Sequence, residues 1–260
     1  MIKEKSNIKT ILAVVVALAI VIYSAIGIDY SGLSTFSTAM AKDVFVGLLK
    51  PDWSFVYDGS GEDLLSLLLL TIEIAFLGTC IGVILAFPVS LLSARKLWNS
   101  LPIVSKIGKI FCDILRAVPE LVYAIIFVKV VGPGPFAGAL AIGVHQIGML
   151  GKLFAEEMEN TDDKVAESMN SVGAGFWQTL FYARFPQVMP LYSSLALNYF
   201  EIAVRSAVTL GLVGAGGIGA PLVFAIQARN WSTVSIILLG VIITVFLIDI
   251  MAGIIRKRLR

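Results

Sequence analysis

Charge is scarce in this sequence. Only 15% of its 260 residues are Asp, Glu, Lys or Arg, where soluble domains carry roughly 25%, while 58% are hydrophobic and mean hydropathy is +0.90. That shortage excludes an ordinary water-soluble domain. Cysteine is nearly absent: Cys80 and Cys112 suggest neither a disulfide framework nor a metal site, and both are expected to pack as small apolar side chains. The single histidine, His145, cannot build a zinc site, which needs three or four ligands. No Gly-x-x-x-x-Gly-Lys-Ser/Thr segment is present, since Leu153 follows Gly151-Lys152, so the chain has no loop to cradle ATP phosphates. Within the apolar runs there is no Ser/His, paired-aspartate or His-Glu-x-x-His arrangement. An enzyme with catalytic, cofactor or metal residues of its own is not expected.

What is present is apolar length. An apolar helix needs roughly 20 residues to cross the hydrocarbon core, and the runs here are continuous rather than alternating, which favours helices over barrel strands. Six spans are predicted, at about 10–28, 64–92, 114–132, 136–155, 190–212 and 233–254. The first is longer than the roughly 7–15-residue apolar core of a secretory signal and is read as a retained helix. Gly132-Pro133-Gly134-Pro135 is a turn between the third and fourth spans. Residues 29–63 are polar and acidic, long enough for a small helix or a lid. The organisation expected is therefore an N-terminal part, 1–63, with one span and an external segment, and a five-span core, 64–260.

Orientation follows from the basic residues. With the N-terminus inside, the inner segments hold Lys3, Lys5, Lys9, Arg95, Lys96, Lys106, Lys109, Lys152, Lys164, Arg184, Arg256, Lys257, Arg258 and Arg260. The outer segments hold only Lys42, Lys50, Lys129 and Arg229, a positive-inside bias. Both termini are then cytoplasmic, and so is the segment 156–190 between the fourth and fifth spans. In it Asp162-Asp163 can cap a helix, and Val165, Met169, Val172, Phe176 and Leu180 form an apolar stripe that Gly173 and Gly175 interrupt. The residues alone leave two readings open: an interfacial helix, or a docking helix for a cytoplasmic partner.

Here the sequence resembles a known signature. Permease subunits of bacterial ABC importers carry Glu-Ala-Ala, three residues, Gly, nine residues, Ile, one residue, then Leu-Pro. In this chain Glu167-Ser168-Met169 leads after three residues to Gly173, after nine more to Ala183, and after one to Phe185-Pro186. Glu, Gly and Pro match in register; the alanines, isoleucine and leucine do not. Arg116–Glu120, His145–Lys152, Phe154–Glu156, Asn198–Arg205 and Leu210–Gly219 are similar to the phosphonate-type permeases, and the resemblance spans about 64–260. It implies an all-α type I importer permease in a bacterial inner membrane. Two copies would form a pathway for phosphonate or a related phosphorus oxyanion such as phosphite or phosphate. Two cytoplasmic ATPase subunits would bind ATP and Mg, and an external substrate-binding protein would deliver solute. No nucleic-acid partner is expected. The ATPase-coupling residues would be Glu167 at the helix start, Gly173 at the bend, and Phe185 and Pro186 where the helix ends.

Ionisable groups inside a bilayer cost a few kcal/mol each and mark structure or function. Those here are Glu73, Arg116, Glu120, His145, Glu201, Arg205 and Asp249. Glu201 and Arg205 are four apart and can pair, as can Arg116 and Glu120. Arg116, Glu120, His145, Glu201 and Arg205 are the candidate pathway or gating residues. His145 is expected to donate an interhelical hydrogen bond, and Asp249 to reach the interface. Gly214-Ala215-Gly216-Gly217-Ile218-Gly219 satisfies Gly-x-Gly-x-x-Gly, but without a βαβ unit it is read as close helix packing or a broken helix. The alternative function, an ion-coupled secondary transporter of a small anion using Glu73, Glu201 and His145, fits six spans and a signature loop less well.

Overall fold

The computed structural model describes residues 7–34, 37–98 and 101–259; Lys3, Lys5 and Arg260 of the charge count lie outside them. The chain divides into two compact units, Met1–Val46 and Gly47–Arg260. The first unit holds α1 (Asn7–Gly27), the apolar helix expected at the N-terminus, and the short α2 (Ser31–Ser34). It also holds most of α3 (Thr38–Leu48). Asp29 starts α2 by accepting hydrogen bonds from the Ser31 amide at 2.8 Å and the Ser31 hydroxyl at 2.9 Å.

The second unit consists of helices joined by turns, with no strand among its described residues. A 3-10 turn, Trp53–Phe55, precedes α4 (Leu64–Ser93), whose first turn is capped by the buried Asp63 accepting from the Ser66 amide at 2.8 Å. Another 3-10 turn, Arg95–Leu97, leads to α5 (Pro102–Ala117), α6 (Glu120–Val131) and α7 (Pro135–Glu159). Then come α8 (Asp163–Ser171), α9 (Phe176–Thr179), a π turn (Leu180–Arg184), α10 (Phe185–Gly211), α11 (Gly219–Gln227) and α12 (Trp231–Leu259).

By length and composition, four helices among the described residues are apolar enough to cross a membrane: Thr10–Gly27, Leu64–Ser93, Pro135–Glu159 and Trp231–Arg258. The other two predicted spans look different. The one at 114–132 is broken: Val118 is extended (φ −83°, ψ 123°) because the ring of Pro119 disfavours helical geometry in the residue before it. The piece that follows, α6, has 12 residues, about 18 Å of helix against a core of roughly 30 Å. The predicted span at 190–212 belongs to α10, which has 27 residues but starts five earlier than expected, at Phe185, and carries Glu201 and Arg205.

Small residues bring α4 and α7 together. Gly78 and Gly82 of α4 face Ile142 and Gln146 of α7, and a Cβ on Gly78 would lie 2.7 Å from the Ile142 Cβ. Such close approach is how helices gain packing energy where lipid is as apolar as the core. Three buried clusters run along this axis. One around Ile218, Ile236 and Ile237 lies at the end where α10 meets α11. A central one is built on Ile74, Ile142, Val204 and Leu210. The third, with Leu150, Phe154, Met158 and Leu180, lies at the end bearing α8 and α9. Phe154 and Tyr192 stack there at 4.2 Å, and the Tyr192 hydroxyl donates to the Phe154 carbonyl at 2.6 Å.

Candidate functional site

The segment between α7 and α10 is a helix pair with a hinge. Asp162 caps α8, its carboxylate accepting from the Lys164 amide at 3.0 Å while its own N–H donates to Gln187 Oε1 at 3.0 Å. The helix stops at Gly173, whose φ of +86° only glycine adopts freely. The Gly173 N–H reaches the Asn170 carbonyl at 3.0 Å and the Ala174 N–H the Met169 carbonyl at 3.1 Å, closing the last turn. After it α9 opens at Gly175, whose N–H donates to Gln178 Oε1 at 2.8 Å. The Thr179 hydroxyl donates to Asn170 Oδ1 at 2.9 Å, folding α9 against α8. The bend expected at Gly173 is present.

Three details differ from expectation. Glu167 is exposed in the second turn of α8 rather than at its start; the first-turn acid is Asp163. Pro186 does not end a helix. It lies in the first turn of α10, and α9, the π turn and α10 run on without a break. Proline lacks an N–H and its ring clashes with the carbonyl four residues back, so the wider π turn at Leu180–Arg184 lets the helix pass through it. Phe185 is half-buried, edge-on to Phe87 at 5.4 Å and to Phe181 at 6.2 Å. The predicted apolar stripe does not lie on one face: Leu180 is buried, Met169 half-buried, and Val172 is 82% exposed.

Beside the charged surface of α8, the turn and α9 present bulky side chains to the outside. Trp177 is 62% and Tyr182 75% exposed, with Phe176 and Phe181 next to them. Trp98, Phe176, Trp177, Phe181 and Phe185 form a ladder of neighbouring rings at 5.3–6.5 Å. Phe176 belongs to the predicted stripe and Phe185 to the signature. Trp98, Trp177, Phe181 and Tyr182 join them only through the fold, although the spacing of 176, 177, 181 and 185 is visible in the sequence.

The membrane charges are arranged by tertiary contacts rather than by spacing. Glu201 is buried and pairs with Arg256 of α12; Arg205, one turn on, is exposed, and so is Asp249, whose carboxyl lies beside Glu201. Arg116 is exposed and pairs with Asp113 at 3.0 Å, while Lys152 reaches the same Asp113 oxygen at 3.0 Å. Glu120 begins α6 after the proline break and faces Ser206 and His145. Neither predicted i,i+4 pair is the ion pair that forms. The interhelical hydrogen bond expected of His145 is made next door: Gln146 Nε2 donates to Thr79 Oγ1 at 3.3 Å and to the Tyr199 carbonyl at 3.1 Å. His145 Nδ1 has no hydrogen-bond partner among the described residues, and its ring lies 6.5 Å from that of Tyr123. Glu73 is exposed on α4.

Because Glu201 is buried with one close cation, removing that cation should cost more than removing the pair. Arg256→Gln is expected to destabilise the detergent-solubilised protein by about 3–5 kcal/mol, and adding Glu201→Gln should restore most of the loss. Thermal unfolding of both variants measures this; additive losses would contradict it.

The Gly-x-Gly-x-x-Gly run is a compact turn between α10 and α11 with no strand near it among the described residues. Its backbone meets two other elements. The Ile218 N–H donates to Thr71 Oγ1 of α4 at 3.0 Å, and the Gly134 N–H, before α7, donates to the Gly214 carbonyl at 2.9 Å. These glycines serve close packing, and the helix broken at Gly211 resumes after them as α11.

Comparison with known proteins puts this geometry in context. A family profile described as "Binding-protein-dependent transport system inner membrane component" matches residues 78–260. The chain is 36% identical over 216 residues to the phosphate-import permease protein PhnE of Mycolicibacterium smegmatis, covering 83% of this chain and 40% of that protein's length. It is 36% identical over 190 residues to the phosphite transport system permease protein PtxC of Stutzerimonas stutzeri, covering 73% of this chain and 69% of that one. In fold it is similar to a chain of the MetNI methionine ABC transporter, with a TM-score of 0.63 at 18% identity, covering 86% of this chain and all of that one.

Proposed function

The chain belongs to the family of binding-protein-dependent transport system inner membrane components, and from that premise we propose that it is the permease subunit of an ATP-driven importer of a phosphorus oxyanion. The observation that carries the coupling role is the hinged α8–α9 pair. It projects a charged helix and an exposed aromatic face, at the end of the bundle that also gathers Arg95, Lys96, Lys109, Lys152 and Arg184. By the positive-inside rule that end is cytoplasmic, which would place both termini in the cytoplasm and the pair where an ATPase can engage it. Glu167, Gly173, Phe185 and Pro186 lie along the engaged segment.

Two copies of the chain would enclose the pathway, two ATPase subunits would hold ATP and Mg, and an external binding protein would supply the anion. Phosphite, phosphate and phosphonate are the substrate class, in keeping with relatives named for phosphate and phosphite transport. The test is reconstitution of the complex with its ATPase and binding protein in liposomes, comparing the three anions. Hydrolysis and uptake stimulated by the loaded binding protein are expected. Uptake by this chain alone under a proton or sodium gradient would overturn the proposal in favour of an ion-coupled carrier.

A further inference from the structure

A closed ring of polar contacts sits at the root of α8. Asp163 gives one oxygen to Lys96 Nζ at 2.8 Å and the other to Arg184 Nη2 at 3.3 Å. The same two cations also hold Thr161: Lys96 Nζ donates to its carbonyl at 2.7 Å and Arg184 Nη1 to its hydroxyl at 3.3 Å. Lys96 belongs to the turn after α4, and Arg184 to the π turn that runs into α10. One carboxylate therefore ties the first turn of α8 to elements on either side of it. Through the neighbouring Arg95 the tie continues, because the Arg95 N–H donates to Glu159 Oε1 at 2.6 Å and Glu159 pairs with Lys109 of α5 at 2.9 Å.

A first-turn acid favours the helix dipole with any geometry, and half-exposed ion pairs add little stability. Neither explains why one carboxylate engages two cations from separate elements. Lys96 first, and then Arg184, holds the Asp163 carboxyl below the usual carboxylate range, so Asp163 is charged at neutral pH and loses its charge only as pH falls below that range. The chain itself links the α8–α9 pair to α7 and α10, whereas α4 and α5 receive it only through side chains.

From this arrangement we infer that Asp163 is a positioning residue that passes movement of the α8–α9 pair to α4 and α5. This rests on the permease reading above. A ring that joins two cations from separate elements through one carboxylate passes displacement in either direction, and coupling of this kind is reciprocal. Asp163→Asn keeps the size and one hydrogen bond but cannot hold both cations; Asp163→Glu keeps the charge.

The experiment uses the full complex in liposomes and reads anion moved per ATP hydrolysed, with methylphosphonate, phosphite and phosphate as probes. For Asp163→Asn and Lys96→Gln that ratio is expected to fall about tenfold, and Asp163→Glu to recover most of it. A merely structural defect would lower uptake and hydrolysis together and leave the ratio in place. A wild-type ratio in Asp163→Asn, or a proportional loss of both activities, overturns the inference while the permease reading stands. A wild-type complex that hydrolyses ATP without moving any of the three anions overturns the reading and the inference with it.

Discussion

Gly219→Ala should leave little folded protein. The first atom added at this position falls on the Val208 carbonyl oxygen and within 2.7 Å of the Gly211 Cα, both backbone. Backbone cannot swing aside as a side-chain tip can, so α10 and α11 would have to separate where the turn between them is pinned to Thr71 and Gly134. Overpacking of this kind costs about 1–3 kcal/mol where side chains can relax and more where they cannot, out of a total stability of roughly 5–15 kcal/mol. The measurement is the yield of monodisperse protein after detergent extraction and its unfolding temperature. Gly253→Ala is the control, because a Cβ there meets nothing within 4 Å. Equal behaviour of the two variants would show that the glycine turn is not a packing joint.

Gly173→Pro should separate hydrolysis from transport. Proline fixes φ near −65°, whereas this residue sits at +86°, and it removes the N–H that bonds the Asn170 carbonyl at 3.0 Å. The turn that sets the angle between α8 and α9 must then rebuild. Nothing in the buried core touches the position, since no atom lies within 4 Å of a Cβ placed there. Membrane insertion and the melting temperature should stay near wild type while ATP-driven uptake falls by about two orders of magnitude, as expected when a few kcal/mol are needed to reach the productive loop geometry. Gly173→Ala keeps the N–H and bears only the strain of a left-handed residue, about 1 kcal/mol, so its loss should be several-fold. Normal uptake by the proline variant would remove the hinge from the coupling assignment.

Much of the fold could be read from the chain because membrane helices are written in continuous apolar runs. The bounds of α4, α7 and α12 fall within a few residues of those expected, and the turn at Gly132–Pro135 follows from its own backbone chemistry. Reading failed where a local rule met a tertiary one. Pro119 breaks a run that hydropathy presents as one span, because a single ring outweighs the composition around it. Pro186 invited the opposite error: a π turn absorbs it, and no composition signal announces a π turn. The i,i+4 rule paired Glu201 with Arg205, but helix packing supplied Arg256 from α12. In the loop, the register of Glu167, Gly173 and Pro186 was visible as a pattern. The contacts of Asp163 were not, since its partners Lys96 and Arg184 lie far away in sequence and meet it only once α4 and α10 stand side by side.

The Glu201–Arg256 pair also has a bearing on how the chain is made. Fifty-five residues separate the two, so a ribosome working at about 5–20 residues per second delivers the cation roughly 3–11 s after the carboxylate. During that interval Glu201 has only Arg205 of its own helix near it, and a bilayer accepts a poorly matched acid at a cost of a few kcal/mol. Among the described residues, α10 is also a long helix that is not apolar enough to count as a span. What α10 lacks when it is made, α12 brings: the later helix carries the arginine that completes the earlier one.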